Sequence, residues 1–102
     1  MNKDENIKLI LALAQSEDPN WIVLDYWDSD MSAIGLAASD YPRRLVYIST
    51  FGKQPGRFYY ECEVPAGPEL TDFNVVEKCD DVDAEALLVV LRNHLSAPHH
   101  SG

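Results

Sequence analysis

The stretch STFGKQPGRFYY, Ser49 to Tyr60, sets two runs of strand-forming residues on either side of a short segment rich in turn formers. Glycine, lysine and arginine so close together also suggest a phosphate-binding loop, but that pattern fails at two positions. A P-loop needs a glycine five residues before Gly52, where Tyr47 stands, and a serine or threonine after Lys53, where Gln54 stands. Pro55 and Gly56 are ordinary turn residues, the first fixing φ and the second admitting positive φ. The segment therefore reads as the turn of an antiparallel hairpin, and its length decides which residues share a face. With KQPG as the loop, Phe51 opposes Phe58, Ser49 opposes Tyr60, Tyr47 opposes Cys62 and Leu45 opposes Val64. That side is expected to be core. The other side then carries Val46, Ile48, Thr50, Tyr59, Glu61 and Glu63, a surface too polar for full burial.

Working outward, WIVLDYW, MSAIGLA, RLVYISTF, RFYYECEV and FNVVEK read as five strands separated by turn-rich segments. Their links are too short for parallel crossovers, so the sheet is expected to be an antiparallel meander in sequence order. Closing the first hairpin on DSD pairs Ile22 with Leu36, Leu24 with Ile34 and Tyr26 with Ser32 as further core, and leaves Trp21, Val23, Asp25 and Trp27 outside. Ile7, Ile10, Leu11 and Ala14 recur at helical spacing, and that first helix ends near Pro19. A second helix begins after Asp83, a plausible N-cap, with Val82 and Leu87 placed as a hydrophobic staple and Leu87, Leu88, Leu91 and Leu95 on one stripe. The run of acids from Asp80 to Glu85 suits a helix N-terminus. The expected fold is α+β, a five-stranded antiparallel meander with an N-terminal and a C-terminal helix on one face, a two-layer sandwich. Residues 1–96 form one domain, since 102 residues do not support two cores, and 97–102 read as a disordered tail.

Eight basic residues against seventeen acidic ones give a net charge of −9, which disfavours nucleic-acid and anionic-membrane binding and favours a basic partner. The first residues lack a basic segment followed by an apolar run, and no stretch reaches membrane-span length, so the chain is expected to be cytoplasmic. Cys62 and Cys79 are too far apart for a CxxC site and read as free thiols. Cys62 falls on the core side, His94 lies beside the stripe of the second helix, and Glu77 can face Tyr60 as a structural hydrogen bond; none of these assembles a catalytic group. Asp25, Asp28 and Asp30 are hard oxygen donors, but the glycine and distal glutamate of a calcium loop are missing, so no metal is expected. No cofactor is expected either. Arg43 and Arg44 sit at the opposite end of the sheet from Lys53 and Arg57 and make no single anion pocket.

What remains is the uncovered sheet face. Trp21, Asp25, Trp27, Tyr59, Glu61 and Glu63 on that face are the expected partner-binding residues, because exposed aromatic area on a small domain marks contact surfaces. The same face can also pair two copies of the chain. In size, charge and element order the chain resembles bacterial immunity proteins and, less closely, acidic chaperones of secretion systems. The chaperones carry a further helix between strands three and four, for which GKQPG leaves no room. The first resemblance implies a non-enzymatic inhibitor of a basic protein. Rival readings are a secretion chaperone or regulatory subunit, and a small-ligand binder or enzyme using a cleft between helices and sheet.

Overall fold

Asp4 anchors the start of the first helix, α1 (Glu5–Glu17), in the computed structural model, which describes residues 3–25, 29–69 and 72–96. Its carboxylate accepts the Ile7 N–H at 2.8 Å, supplying the partner that a first-turn amide lacks, and also accepts the Thr50 hydroxyl. The Asp4 N–H donates to Met31 O at 2.8 Å. Just before it, Lys3 is 3% exposed, and its Nζ donates to Asp25 Oδ1 at 3.0 Å and to the Asp30 carbonyl at 2.8 Å. The entry to α1 is thus tied to the β1–β2 connection and to the end of β3.

Five strands follow, β1 (Trp21–Leu24), β2 (Ala33–Ala38), β3 (Tyr41–Ser49), β4 (Arg57–Pro65) and β5 (Phe73–Asp83), and then α2 (Ala84–Leu95). They form one antiparallel sheet in sequence order, the expected meander. Both helices pack on one face, where Ile7, Ile10, Ala14, Leu87, Leu91 and Leu95 meet Leu36, Val46, Ile48, Phe58, Tyr60 and Cys62. Asp83 caps α2 as expected, accepting the Ala86 N–H at 2.8 Å, and Val82 packs on the same core as Leu87. No described helix is long and apolar enough to cross a membrane. The expected tail, 97–102, lies outside the described residues.

The hairpin registers differ from expectation by one residue. Val46 opposes Cys62 and Ile48 opposes Tyr60, so Val46 and Ile48 face the helices while Tyr47 and Ser49 turn to the other side. The cause lies in the quoted loop. Phe51 does not pair with Phe58 but stands 83% exposed, and the connection is two successive turns, closed by Lys53 N–H to Thr50 O and by Arg57 N–H to Gln54 O, both at 3.0 Å. Gly52 and Gly56 occupy the third position of each with φ of 71° and 79°, the conformation that makes glycine necessary there. The first hairpin slips likewise. Ile22 opposes Ala37 and Val23 opposes Leu36, because β1 stops at Leu24 and the return into β2 is set by Asp30, whose carboxylate accepts the Ser32 N–H at 2.9 Å.

β5 runs to Asp83, beyond the six residues expected, and draws Asp80 and Asp81 into the strand rather than into a helix lead. There they meet Lys53 at 3.3 Å and Arg57 at 2.9 Å, which commits the basic residues of the quoted loop to ion pairs within the chain. Arg43, inside β3, donates to the carbonyls of Gly67, Glu69 and Asp72 at 2.7, 2.7 and 3.3 Å and fastens the β4–β5 connection.

Candidate functional site

The face opposite the helices is built in rows across the strands. One row is Ile22, Ala37, Leu45, Glu63 and Val75; the next is Leu24, Gly35, Tyr47, Glu61 and Lys78; a shorter third is Ala33, Ser49 and Tyr59. No described helix lies over it. The β2 residues on this side are an alanine, a glycine and an alanine, so the larger side chains of β3 and β4 rise above the floor of the sheet.

Of the six residues expected to form the contact surface, Tyr59, Glu61 and Glu63 are brought together here. Trp21 is not. It is 8% exposed and belongs to the helix-side core, with Nε1 donating to Ser96 Oγ at 3.1 Å, a partner at the end of α2. Asp25 is taken up by the ion pair with buried Lys3; Asp28 and Trp27 lie outside the described residues. Tyr47 and Ser49 join the face in place of Val46 and Ile48. The strand's own alternation could have shown this, because Val46 and Ile48 are β-branched aliphatics while Tyr47 and Ser49 both carry hydroxyls.

Tyr47 and Tyr59 meet edge to face, ring centroids 6.3 Å apart at 73°. The Tyr59 hydroxyl donates to the Glu61 carboxylate, and this bond, reinforced by burial, pushes the phenol up to about 12. Burial likewise raises Tyr47. Both phenols stay protonated at neutral pH and serve as donors and ring surfaces rather than bases. Glu63 is half-buried, and its carboxyl is held above the usual carboxylate range, first by burial and then by the charge of Glu61 two residues away on the same face. Among the described residues neither Glu61 nor Glu63 forms an ion pair. Two carboxylates are thus partly withdrawn from water, side by side, with Lys78 opposite Glu61 on β5 but no salt bridge to either among the described residues.

That arrangement has a measurable cost. The folded chain binds the Glu63 proton more tightly than the unfolded chain does, so stability falls as pH rises through the elevated value from the ordinary 4.5. Glu63→Gln is expected to raise stability near neutral pH by ~0.5 kcal/mol, the scale of a surface substitution, and the gain should vanish as pH drops below the ordinary glutamate range. Urea denaturation of both proteins across that range measures it; a gain independent of pH would place the cause elsewhere.

Other candidate chemistry is inward. Burial pushes the Cys62 thiol up to about 12, which leaves it protonated and unreactive at neutral pH. His94 is buried at the end of α2, with Nε2 3.0 Å from the Glu63 carbonyl, and burial lowers its pKa. The Tyr60 hydroxyl donates to Glu77 at 2.6 Å, the bond expected from sequence. A cleft between α1 and the sheet does exist, of about 250 Å³, lined by Leu11, Ala14, Gln15, Trp21, Val23 and Leu36. Its lining has no ionisable side chain.

No protein-family model matches the chain, and neither the curated proteins nor the solved structures contain a match to it.

Proposed function

We propose that this chain is a cytoplasmic protein-binding module, an immunity-type inhibitor that docks the helix-free face of its sheet, at its Tyr47, Tyr59, Glu61 and Glu63 end, on a basic surface of its partner. The observation that carries this reading is the Glu61–Glu63 pair, half-buried beside the Tyr47 and Tyr59 rings and in no salt bridge among the described residues. An arginine or lysine from a partner pairs with these carboxylates, and the two rings offer apolar surface to its stem and to the planar face of a guanidinium. The net charge of −9 steers a basic protein toward the chain over distances longer than any contact. A partner whose basic site normally receives phosphates is blocked by carboxylates placed in the same positions.

The test is capture of the partner by tagged chain from cells that carry its gene, with wild type and Glu61→Lys/Glu63→Lys compared. Wild type should retain a basic protein that elutes with salt, and the charge-reversed chain should lose it with its folding intact. Equal capture by both chains would overturn the reading.

A further inference from the structure

The sheet has two edges, and they are not equivalent. β5 is long, but its pairing with β4 is interrupted by register shifts at Phe58/Tyr60 and at Cys62/Glu63, and it carries Glu77, Lys78, Asp80 and Asp81. Bulges and charges of this kind discourage another strand from pairing there. β1 has neither. The Asn20 carbonyl accepts the Ser39 N–H, so in an antiparallel ladder Asn20, Ile22 and Leu24 bond toward β2, and the N–H and C=O of Val23 point away from the sheet. Among the described residues no group bonds to them outside the sheet.

The helix–sheet cleft opens beside this same residue. Val23 is 41% exposed and lines it together with Trp21, Leu36, Leu11, Ala14 and the rim residue Gln15. Its 250 Å³ falls below the roughly 300–1,000 Å³ of small-molecule sites and above the roughly 150 Å³ that accepts a benzene ring. It is the size for one side chain. A strand added antiparallel to β1 places the side chain opposite Val23 on the same face as Val23, toward this cleft.

We infer that the β1 edge takes an extended segment of a partner protein, bonded through the Val23 peptide groups, with one aromatic or aliphatic side chain seated in the cleft and basic residues on either side of it. The basic flanks follow from charge: Asp18 precedes β1, and the whole chain carries a net charge of −9. The mode is strand addition, in which main-chain bonds supply affinity and the pocket supplies selectivity. It uses the opposite face from the Glu61–Glu63 pair and stands or falls apart from it.

The probe is the acetylated, amidated peptide KVKFKVK, titrated into the full chain by NMR. Binding below about 1 mM is expected, with the largest shifts at Trp21 and Val23. N-methylation of the central phenylalanine, or its replacement by serine, keeps the charge and should weaken binding at least about tenfold. Val23→Pro should do the same; Gln15→Trp, at an exposed helix position, blocks the rim without touching the strand and should also weaken it. Glu61→Lys/Glu63→Lys should leave the peptide shifts at β1 in place. Equal affinity for all three peptides, binding unaffected by Gln15→Trp, or no binding up to about 1 mM would overturn the inference. Self-association of the chain through β1 in place of peptide binding would overturn it too.

Discussion

Ile48→Lys is expected to abolish cooperative folding, while Tyr47→Lys, one residue earlier, leaves the chain folded. Ile48 is fully buried between the sheet and the helices, in contact with the cluster that contains Ile7, Leu87 and Leu91. A lysine there would lose the isoleucine packing and bury a charge with no carboxylate to receive it, a combination that costs several kcal/mol. A domain of this size has about 5–15 kcal/mol to lose. Tyr47 is half-exposed on the opposite face, near Glu61 and Glu63, where an ammonium meets favourable charge. Its substitution should stay within ~1 kcal/mol of wild type, measured by thermal unfolding followed by circular dichroism. The reverse outcome would restore the register in which Tyr47 is core, and would dissolve the proposed contact face with it.

The second large effect is at Lys3. A lysine just outside a helix would ordinarily be a solvated, replaceable charge, yet this one is buried and bridges Asp25 and the Asp30 carbonyl. Lys3→Ala removes a buried ammonium from a partly buried carboxylate and from a carbonyl, and is expected to cost about 3 kcal/mol, the low end for breaking a buried pair because Asp25 keeps some access to water. Adding Asp25→Asn to Lys3→Ala should cost little more, since the uncompensated charge is then gone. Urea midpoints of the two single variants and the double variant measure the coupling. Strictly additive losses would mean that the pair does not act as a unit.

The element order was legible because each element announces itself locally. The α1 stripe Ile7, Ile10, Ala14 and the α2 stripe Leu87, Leu91, Leu95 follow helical spacing, and Asp4 and Asp83 cap them by the ordinary rule. The face of β4 was legible as well, since Phe58, Tyr60 and Cys62 alternate with Tyr59, Glu61 and Glu63. What failed was the transfer of that face across a turn. A hairpin register depends on loop geometry, and the seven residues of Thr50–Gly56 hide a second turn at Gly52 that a four-residue loop does not allow for. Each slip inverted one strand, β1 or β3, and left its neighbour correct. Trp21 moved with the inverted β1, and nothing nearby in sequence corrects it, since its hydroxyl partner, Ser96, is 75 residues away. The burial of Lys3 is equally non-local.

The proposed contact face was therefore legible in half. Tyr59, Glu61 and Glu63 were assigned to it from alternation alone, and the structure adds Tyr47 and Ser49 while withdrawing Trp21 and Asp25. The revised face is smaller and more coherent, because its aromatic and acidic groups now touch. Tyr47 packs on Tyr59, Tyr59 bonds Glu61, and Glu61 raises Glu63.

Affinity for the captured basic partner, measured by calorimetry on wild type and on Glu61→Lys/Glu63→Lys at two salt concentrations, tests the central claim most directly. The account predicts a loss of at least about a hundredfold on charge reversal, larger at low salt, with both chains unfolding at similar urea concentrations. Unchanged affinity in a folded charge-reversed chain would contradict it.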